Sequence, residues 1–335
     1  MLKSMAVRYP FLLFYIIALA FPVILFSYLS ILEVYFKTVH GDAYSYVGAF
    51  YALQADLVSR YPILFHHRDS ILLYLTSYAM MWLAAPFFFF PFAPTASALL
   101  VSGLGNGSSA IKTLLSHYKP VRGRLTLKDG IRIYGSILLS IVALAGAFFI
   151  WAQVSGNDAM AEQMINTLGL FDVRYFAFGA FTALLLNQGG LLEELGWRGY
   201  ALPLMLKRYS PLAAALTVGV AWALWHLPRE IPMLIAGQQS MLELLGGQVL
   251  FIISCGGLSV IASYFVNITG GSVLPAIMWH GMFNYLTAAT SQRVEGAVRS
   301  EFDTLTPIFW AAAALAILLI AGRDLGHKRR LEILR

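Results

Sequence analysis

Three groups of residues carry types and spacings that could do chemistry. Glu193 and Glu194 precede Arg198 in the pattern Glu-Glu-x-x-x-Arg, late in a mainly apolar run that begins near Phe176. His226 closes Trp222-Ala223-Leu224-Trp225-His226, and His280 stands four residues before Asn284. Helical residues four apart share a face, so Glu194 can neutralise Arg198, and His280 and Asn284 project together. Glu193 points about 100° away and has no local partner. An ionisable residue at bilayer depth costs roughly 2.5–3.5 kcal/mol, so an unpaired carboxylate there is a functional candidate.

A carboxylate and an imidazole that share one water make a nucleophile by general-base catalysis. A second histidine with an asparagine amide offers donors for a developing oxyanion. Base, water and oxyanion donors suffice to hydrolyse an amide. If a metal takes part, Glu193, His226 and His280 are the ligand set, and zinc is compatible with it, although the spacing does not require a metal. There is no Gly-x-Ser-x-Gly and no His-Glu-x-x-His, which excludes a serine elbow and a zincin helix.

Two helices must bring the first two groups together. The turn between them centres on Tyr209-Ser210, and Glu193 and His226 lie at equal distances on either side of it. In an antiparallel hairpin such residues sit at similar depth. His280 lies on a later helix entered from the same side. Gly189, Gly190, Gly196 and Gly199 would let neighbouring helices approach closely.

The chain that supplies these helices is 59% hydrophobic and only 12% charged, where soluble domains carry about 25% charged residues. Apolar runs of about 20 residues imply an all-α, polytopic membrane bundle of about eight transmembrane helices. The expected spans are about 9–36, 70–92, 131–154, 171–202, 211–227, 246–266, 272–290 and 305–321. Ala18-Leu19-Ala20 imitates a signal-peptidase site, but the apolar run continues to Leu32, so the first span is read as uncleaved. Gly103–Ser109 reads as a flexible turn, His40–Asp69 as an interfacial helix and loop, and Ser155–Thr167 as an outer loop. Lys112, Lys119, Arg122, Arg124, Lys128 and Arg132 face the single acid Asp129 in one loop, and the tail is also basic. The positive-inside rule places that loop and both termini in the cytoplasm. The net charge of +6 is therefore membrane topology and not nucleic-acid binding. Cys255, the single cysteine, reads as inert core. The chemistry divides the chain into 1–165, an N-terminal transmembrane region without a motif; 166–292, the core; and 293–335, a last helix and basic tail.

Taken in order, Glu-Glu-x-x-x-Arg, Trp222-x-x-x-His226 and His280-x-x-x-Asn284 resemble the CPBP intramembrane protease family, also called the Abi or type II CAAX endopeptidase family. Glu-Glu-Leu-Gly-Trp-Arg-Gly-Tyr and Trp-Ala-Leu-Trp-His-Leu-Pro look like its bacterial members. The resemblance covers about 170–290. It departs from the family at Trp222, where phenylalanine is usual. It implies an intramembrane peptidase of a bacterial inner membrane with a chamber open toward the cytoplasmic leaflet. By that similarity Glu193 and His226 activate the water, His280 and Asn284 stabilise the oxyanion, and Glu194, Arg198 and Trp222 support the site. Metalloprotease and glutamate-protease mechanisms both remain open, and the substrate is a peptide or another membrane protein.

Plainer readings stand beside these. His40, the pair His66-His67, His117 and His327 read as solvated or interfacial. Trp197, Trp222, Trp225 and Trp279 read as packing and interface anchors, with Trp222 and Trp225 able to exclude water near a site. A non-catalytic immunity or binding protein of the same fold is the alternative function, and a Glu/His-relay transporter is a third.

Overall fold

The computed structural model describes residues 2–65, 70–156, 158–168, 172–235, 239–291 and 297–335, without the side chains of 159–160, 163, 167–168, 233, 235, 287–291 and 297–304. His66-His67 and the middle of the polar stretch 291–303 lie outside the described residues. The described chain is helical: α1 Leu2–Arg8, α2 Pro10–His40, α3 Tyr46–Arg60, α4 Ile71–Met80, α5 Phe89–Leu115, α6 Leu127–Val154, α7 Asp158–Leu168 and α8 Val173–Leu185. There follow α9 Gln188–Glu194, α10 Leu202–Met205, α11 Pro211–Trp225, α12 Ile231–Ile235, α13 Met241–Ile268, α14 Leu274–Ser291, α15 Ala297–Ala321 and α16 His327–Leu334.

Among the described residues six helices are long and apolar enough to cross a membrane: Pro10–His40, Trp82–Tyr118, Leu127–Val154, Pro211–Arg229, Met241–Ile268 and Leu305–Asp324. The broken segment from α8 to α10 and the helix α14 run alongside them, which agrees with the expected all-α bundle. Local signals set several starts. Pro10 and Pro211 occupy first-turn positions. Thr126 with Asp129 and Ser240 with Glu243 form capping boxes at α6 and α13.

Five expectations are corrected. The second span is not 70–92. α4 ends at Met80, and the crossing helix runs through Gly103–Ser109, which therefore forms no flexible turn. Gly107, at φ 72°, only kinks it. Gly105 there lies against α1, with the Ala6 backbone in ordinary contact distance. Residues 158–168 of the expected outer loop are helical. The helix expected over 171–202 breaks after Leu185, and a π-helical turn spans Leu195–Ala201. His117 is buried, not solvated, and its Nδ1 sits 3.0 Å from the Leu114 carbonyl at the end of α5.

One large core joins α2, α5, α11, α13 and α14, with Trp197, Trp222 and Trp225 at its centre. A smaller aromatic cluster, which includes Tyr46, Phe50 and Tyr78, gathers α3 and α4 against the far end of α2. Trp225 Nε1 donates to the Ala18 carbonyl at 2.8 Å and ties α11 to α2. Ser70 and Asn187 form an isolated antiparallel bridge that ties the start of α4 to the break between α8 and α9.

Candidate active site

The break before α9 places the first group. The Asn187 side chain caps α9 by accepting from the Gly190 N–H at 2.9 Å, as an N-cap asparagine does. α9 then carries Glu193 and Glu194 inward, and both are buried. Glu194 Oε1 accepts from Arg198 Nη1 at 2.7 Å, the expected i,i+4 pair. The same oxygen accepts from His280 Nδ1 at 2.8 Å across to α14. Glu194 is thus shared between a guanidinium and an imidazole.

Glu193 points elsewhere. Its Oε2 accepts from Trp222 Nε1 at 2.8 Å, which turns Oε1 toward α14. A Cβ built on Gly189 would lie 2.9 Å from His280 Nε2, 2.9 Å from Asn284 Nδ2 and 3.3 Å from Glu193 Oε1. Three polar atoms from two helices therefore gather beside Gly189, too close to its backbone for any side chain there. His226 lies at the end of α11, where its Nδ1 meets the Trp222 carbonyl at 3.0 Å. A carbonyl only accepts, so Nδ1 carries the proton and a neutral ring keeps its Nε2 lone pair free.

Trp222 touches Glu193, His226, His280 and Arg198. It donates to Glu193 and accepts from His226 through its carbonyl. Its ring lies 5.0 Å from the Arg198 guanidinium carbon and edge-on to His280, with centroids 4.8 Å apart. The cation–π contact compensates part of the cost of burying Arg198. A phenylalanine in its place could make the ring contacts but could not donate to Glu193.

Glu193, Trp222, His226, His280 and Asn284 line one end of a cavity of about 550 Å³. Its other walls come from α2–α5, including Phe26, Tyr46, Phe50, Tyr74, Tyr78 and Phe90. Phe90 stacks on Trp225 at 4.6 Å and meets the His226 ring edge-on at 5.9 Å. The four residues read as catalytic thus share one chamber, and Glu194 and Arg198 stand behind it. Among the described residues no three His, Cys, Asp or Glu side chains gather so as to hold one metal ion. The trio Glu193, His226 and His280 accordingly does not form a ligand cage in this conformation.

Comparison with known proteins bears on the same stretch of chain. Residues 174–286 match the family of type II CAAX prenyl endopeptidases, Rce1-like. Glu193, His226, His280 and Asn284 all fall inside the matched stretch. Over 104 residues the chain is 29% identical to the CAAX prenyl protease 2 of Methanococcus maripaludis, a match that covers 30% of this chain and 37% of that relative. The chain therefore spans little more than a third of the curated relative's length. The resemblance read from the motifs holds for this stretch, and residues 1–173 lie outside it.

Sequence reading missed three contributors. Asn187 was taken as mid-helix, although an asparagine three residues before Gly190 is a capping signal. Besides the Gly190 N–H, its Oδ1 accepts from Asn284 Nδ2 at 3.1 Å. Because a backbone N–H fixes that atom as the oxygen, the Asn284 atom facing it is the nitrogen. Gly189 was read only as a packing residue. The aromatic wall from α2–α5 carries no motif and is visible only once the helices are placed.

Proposed function

We propose that the chain is an intramembrane endopeptidase that hydrolyses a peptide bond of a peptide or membrane-protein substrate with a Glu193-activated water. The observation that carries this reading is the convergence of Glu193 Oε1, His280 Nε2 and Asn284 Nδ2 beside Gly189, at the wall of the cavity. A water held in the cavity among those atoms lies within reach of the carboxylate. Glu193 Oε1 takes one of its protons as the oxygen attacks the carbonyl carbon, while His226 Nε2 accepts a hydrogen bond from the O–H that remains and orients the lone pair. The substrate oxygen, now negative, receives Asn284 Nδ2–H and His280 Nε2–H. Glu194 accepts from His280 Nδ1 and holds the ring with its Nε2 edge toward that oxygen. Collapse of the intermediate breaks the C–N bond, and the proton on Glu193 passes to the leaving amine.

The test compares membrane peptides from cells that carry the wild type, Glu193→Gln or His226→Ala, with digestion in ¹⁸O-water. A product whose new C-terminal carboxylate carries ¹⁸O, and which both variants abolish at equal amounts of folded protein, supports hydrolysis at this site. If both variants yield that product normally, the assignment fails. A biological phenotype that persists in Glu193→Gln would support a binding or immunity protein instead.

A further inference from the structure

The two ends of the bundle differ in charge, and the chamber belongs to one of them. At one end the basic loop 119–126 meets the basic tail: Arg124 N donates to the Ile333 carbonyl at 3.0 Å and Arg124 Nη2 to the Arg335 carbonyl at 2.9 Å. Arg122 N donates to the Thr269 carbonyl at 3.1 Å, and Val273 N to the His117 carbonyl at 2.8 Å, so the α13–α14 turn sits at this end too. Lys207 and Arg208, just before α11, complete it. At the opposite end the described arginines are each paired with a neighbouring carboxylate: Arg60 with Asp56, Arg174 with Asp172 and Arg229 with Glu230. One end is strongly cationic and the other is balanced.

The chamber opens at the balanced end. α11 leaves the cationic end at Pro211 and reaches the cavity at His226, fifteen residues and about 22 Å later at 1.5 Å per residue. Arg229, Glu230 and Phe251 line the cavity beyond it, as do residues of α3 and α4, which lie past the far end of α2. From the cationic end, α5 and α13 reach the cavity only through their distant portions, at Phe90 and Phe251.

The positive-inside rule puts the cationic end in the cytoplasm. We infer that the chamber opens to the extracytoplasmic side, and that its occupant is a peptide segment on that side with a bulky apolar side chain seated among Tyr46, Phe50, Tyr74, Tyr78 and Phe90. This opening is the reverse of the cytoplasmic-leaflet one that the family resemblance implies. The lining argues for that occupant: the wall is made of ring faces, which favour aromatic and aliphatic groups, and it is continuous with Glu193, so a side chain held there brings the adjoining peptide bond to the water. The choice of a substrate as occupant rests on the proposed peptidase reading; the side of the opening does not.

Single cysteines decide both parts. Tyr51 lines the cavity and is 58% exposed, Gln188 lines its catalytic end, and Leu127 lies at the cationic end and is 79% exposed. Tyr51→Cys, Gln188→Cys and Leu127→Cys are treated with a membrane-impermeant methanethiosulfonate in spheroplasts and in inside-out vesicles. The unsubstituted protein controls for the buried Cys255. The expected result is modification of Tyr51→Cys and Gln188→Cys in spheroplasts and of Leu127→Cys only in inside-out vesicles. Modification of Gln188→Cys only from the Leu127 side, or from neither side, overturns the inference. This readout needs no catalysis, so an inactive protein sinks the peptidase reading and leaves the sidedness decided. In an active preparation, a bulky maleimide on Tyr51→Cys should lower cleavage at least tenfold, while the same adduct on Leu127→Cys leaves it unchanged. Equal rates for the two adducts overturn the seating of substrate against the aromatic wall.

Discussion

Trp222→Phe isolates one bond. The indole N–H that donates to Glu193 Oε2 at 2.8 Å disappears, while a ring remains in contact with Arg198 and His280. A hydrogen bond to a charged group contributes about 1.5–3 kcal/mol. If that bond holds the carboxylate in the orientation from which Oε1 attacks the water proton, its loss lowers kcat about 10- to 150-fold. KM should stay near the wild-type value, since the indole nitrogen faces Glu193 and not the open cavity. The smaller ring also leaves a void, with a stability loss of about 1–2 kcal/mol. Trp197→Phe controls for that loss. Trp197 is fully buried, stacks edge-on to Phe14 and Trp225, and its Nε1 has no hydrogen-bond partner among the described residues. Steady-state cleavage by both purified variants, with their melting temperatures, separates the effects. Similar melting with a kcat loss confined to Trp222→Phe is expected. Equal kcat in the two variants would refute the positioning role.

Two glycines should fail in different ways. Gly189→Ala places a methyl where His280 Nε2, Asn284 Nδ2 and Glu193 Oε1 converge, so activity should fall by more than tenfold with the protein still folded. On Gly281 a methyl would run into the Ala183 carbonyl of α8, so Gly281→Ala should reduce the yield of folded protein, overpacking costing about 1–3 kcal/mol or more; size-exclusion profiles and rates tell them apart. Asn187→Ala removes the acceptor that orients Asn284 and caps α9, and should lower kcat about tenfold at a cap cost of about 1 kcal/mol. Hydrogen bonds from the Arg174 side chain and backbone N–H hold Asp172 down at about 2 from its ordinary 3.8. A depressed folded-state pKa means that this cap stabilises the start of α8 above the unfolded value and is lost as pH falls toward 2. Amide protection at Arg174 and Tyr175, corrected for intrinsic exchange, should therefore drop across that window in the wild type and not in Asp172→Asn.

How far the site was legible depended on how local its geometry is. The Glu194–Arg198 pair follows from helical spacing alone, and it stands at 2.7 Å. Glu193 and His226 could be matched because a hairpin fixes depth by counting from its turn. His280 had no such ruler, and its partner proved to be Glu194, a carboxylate that the i,i+4 rule had already assigned to Arg198. Trp222 was read as packing because an indole's apolar area dominates its averages, whereas here the N–H decides its role. The α8–α9 break at Asn187 was hidden by apolar residues on both sides. Gly103–Ser109 misled in the other direction: its composition favours a turn, but the segment is helical with a kink at Gly107. The aromatic wall is tertiary throughout, since helices distant in sequence share one face of the chamber.

Cleavage by purified Glu193→Gln protein in proteoliposomes is the most direct measurement of whether one buried carboxylate activates the water. The expected result is a fall of about 10²–10⁴ in kcat with an unchanged melting temperature, the range that loss of a general base produces. A Glu193→Gln enzyme that cleaves as fast as the wild type would contradict the mechanism, whatever the rest of the chamber holds.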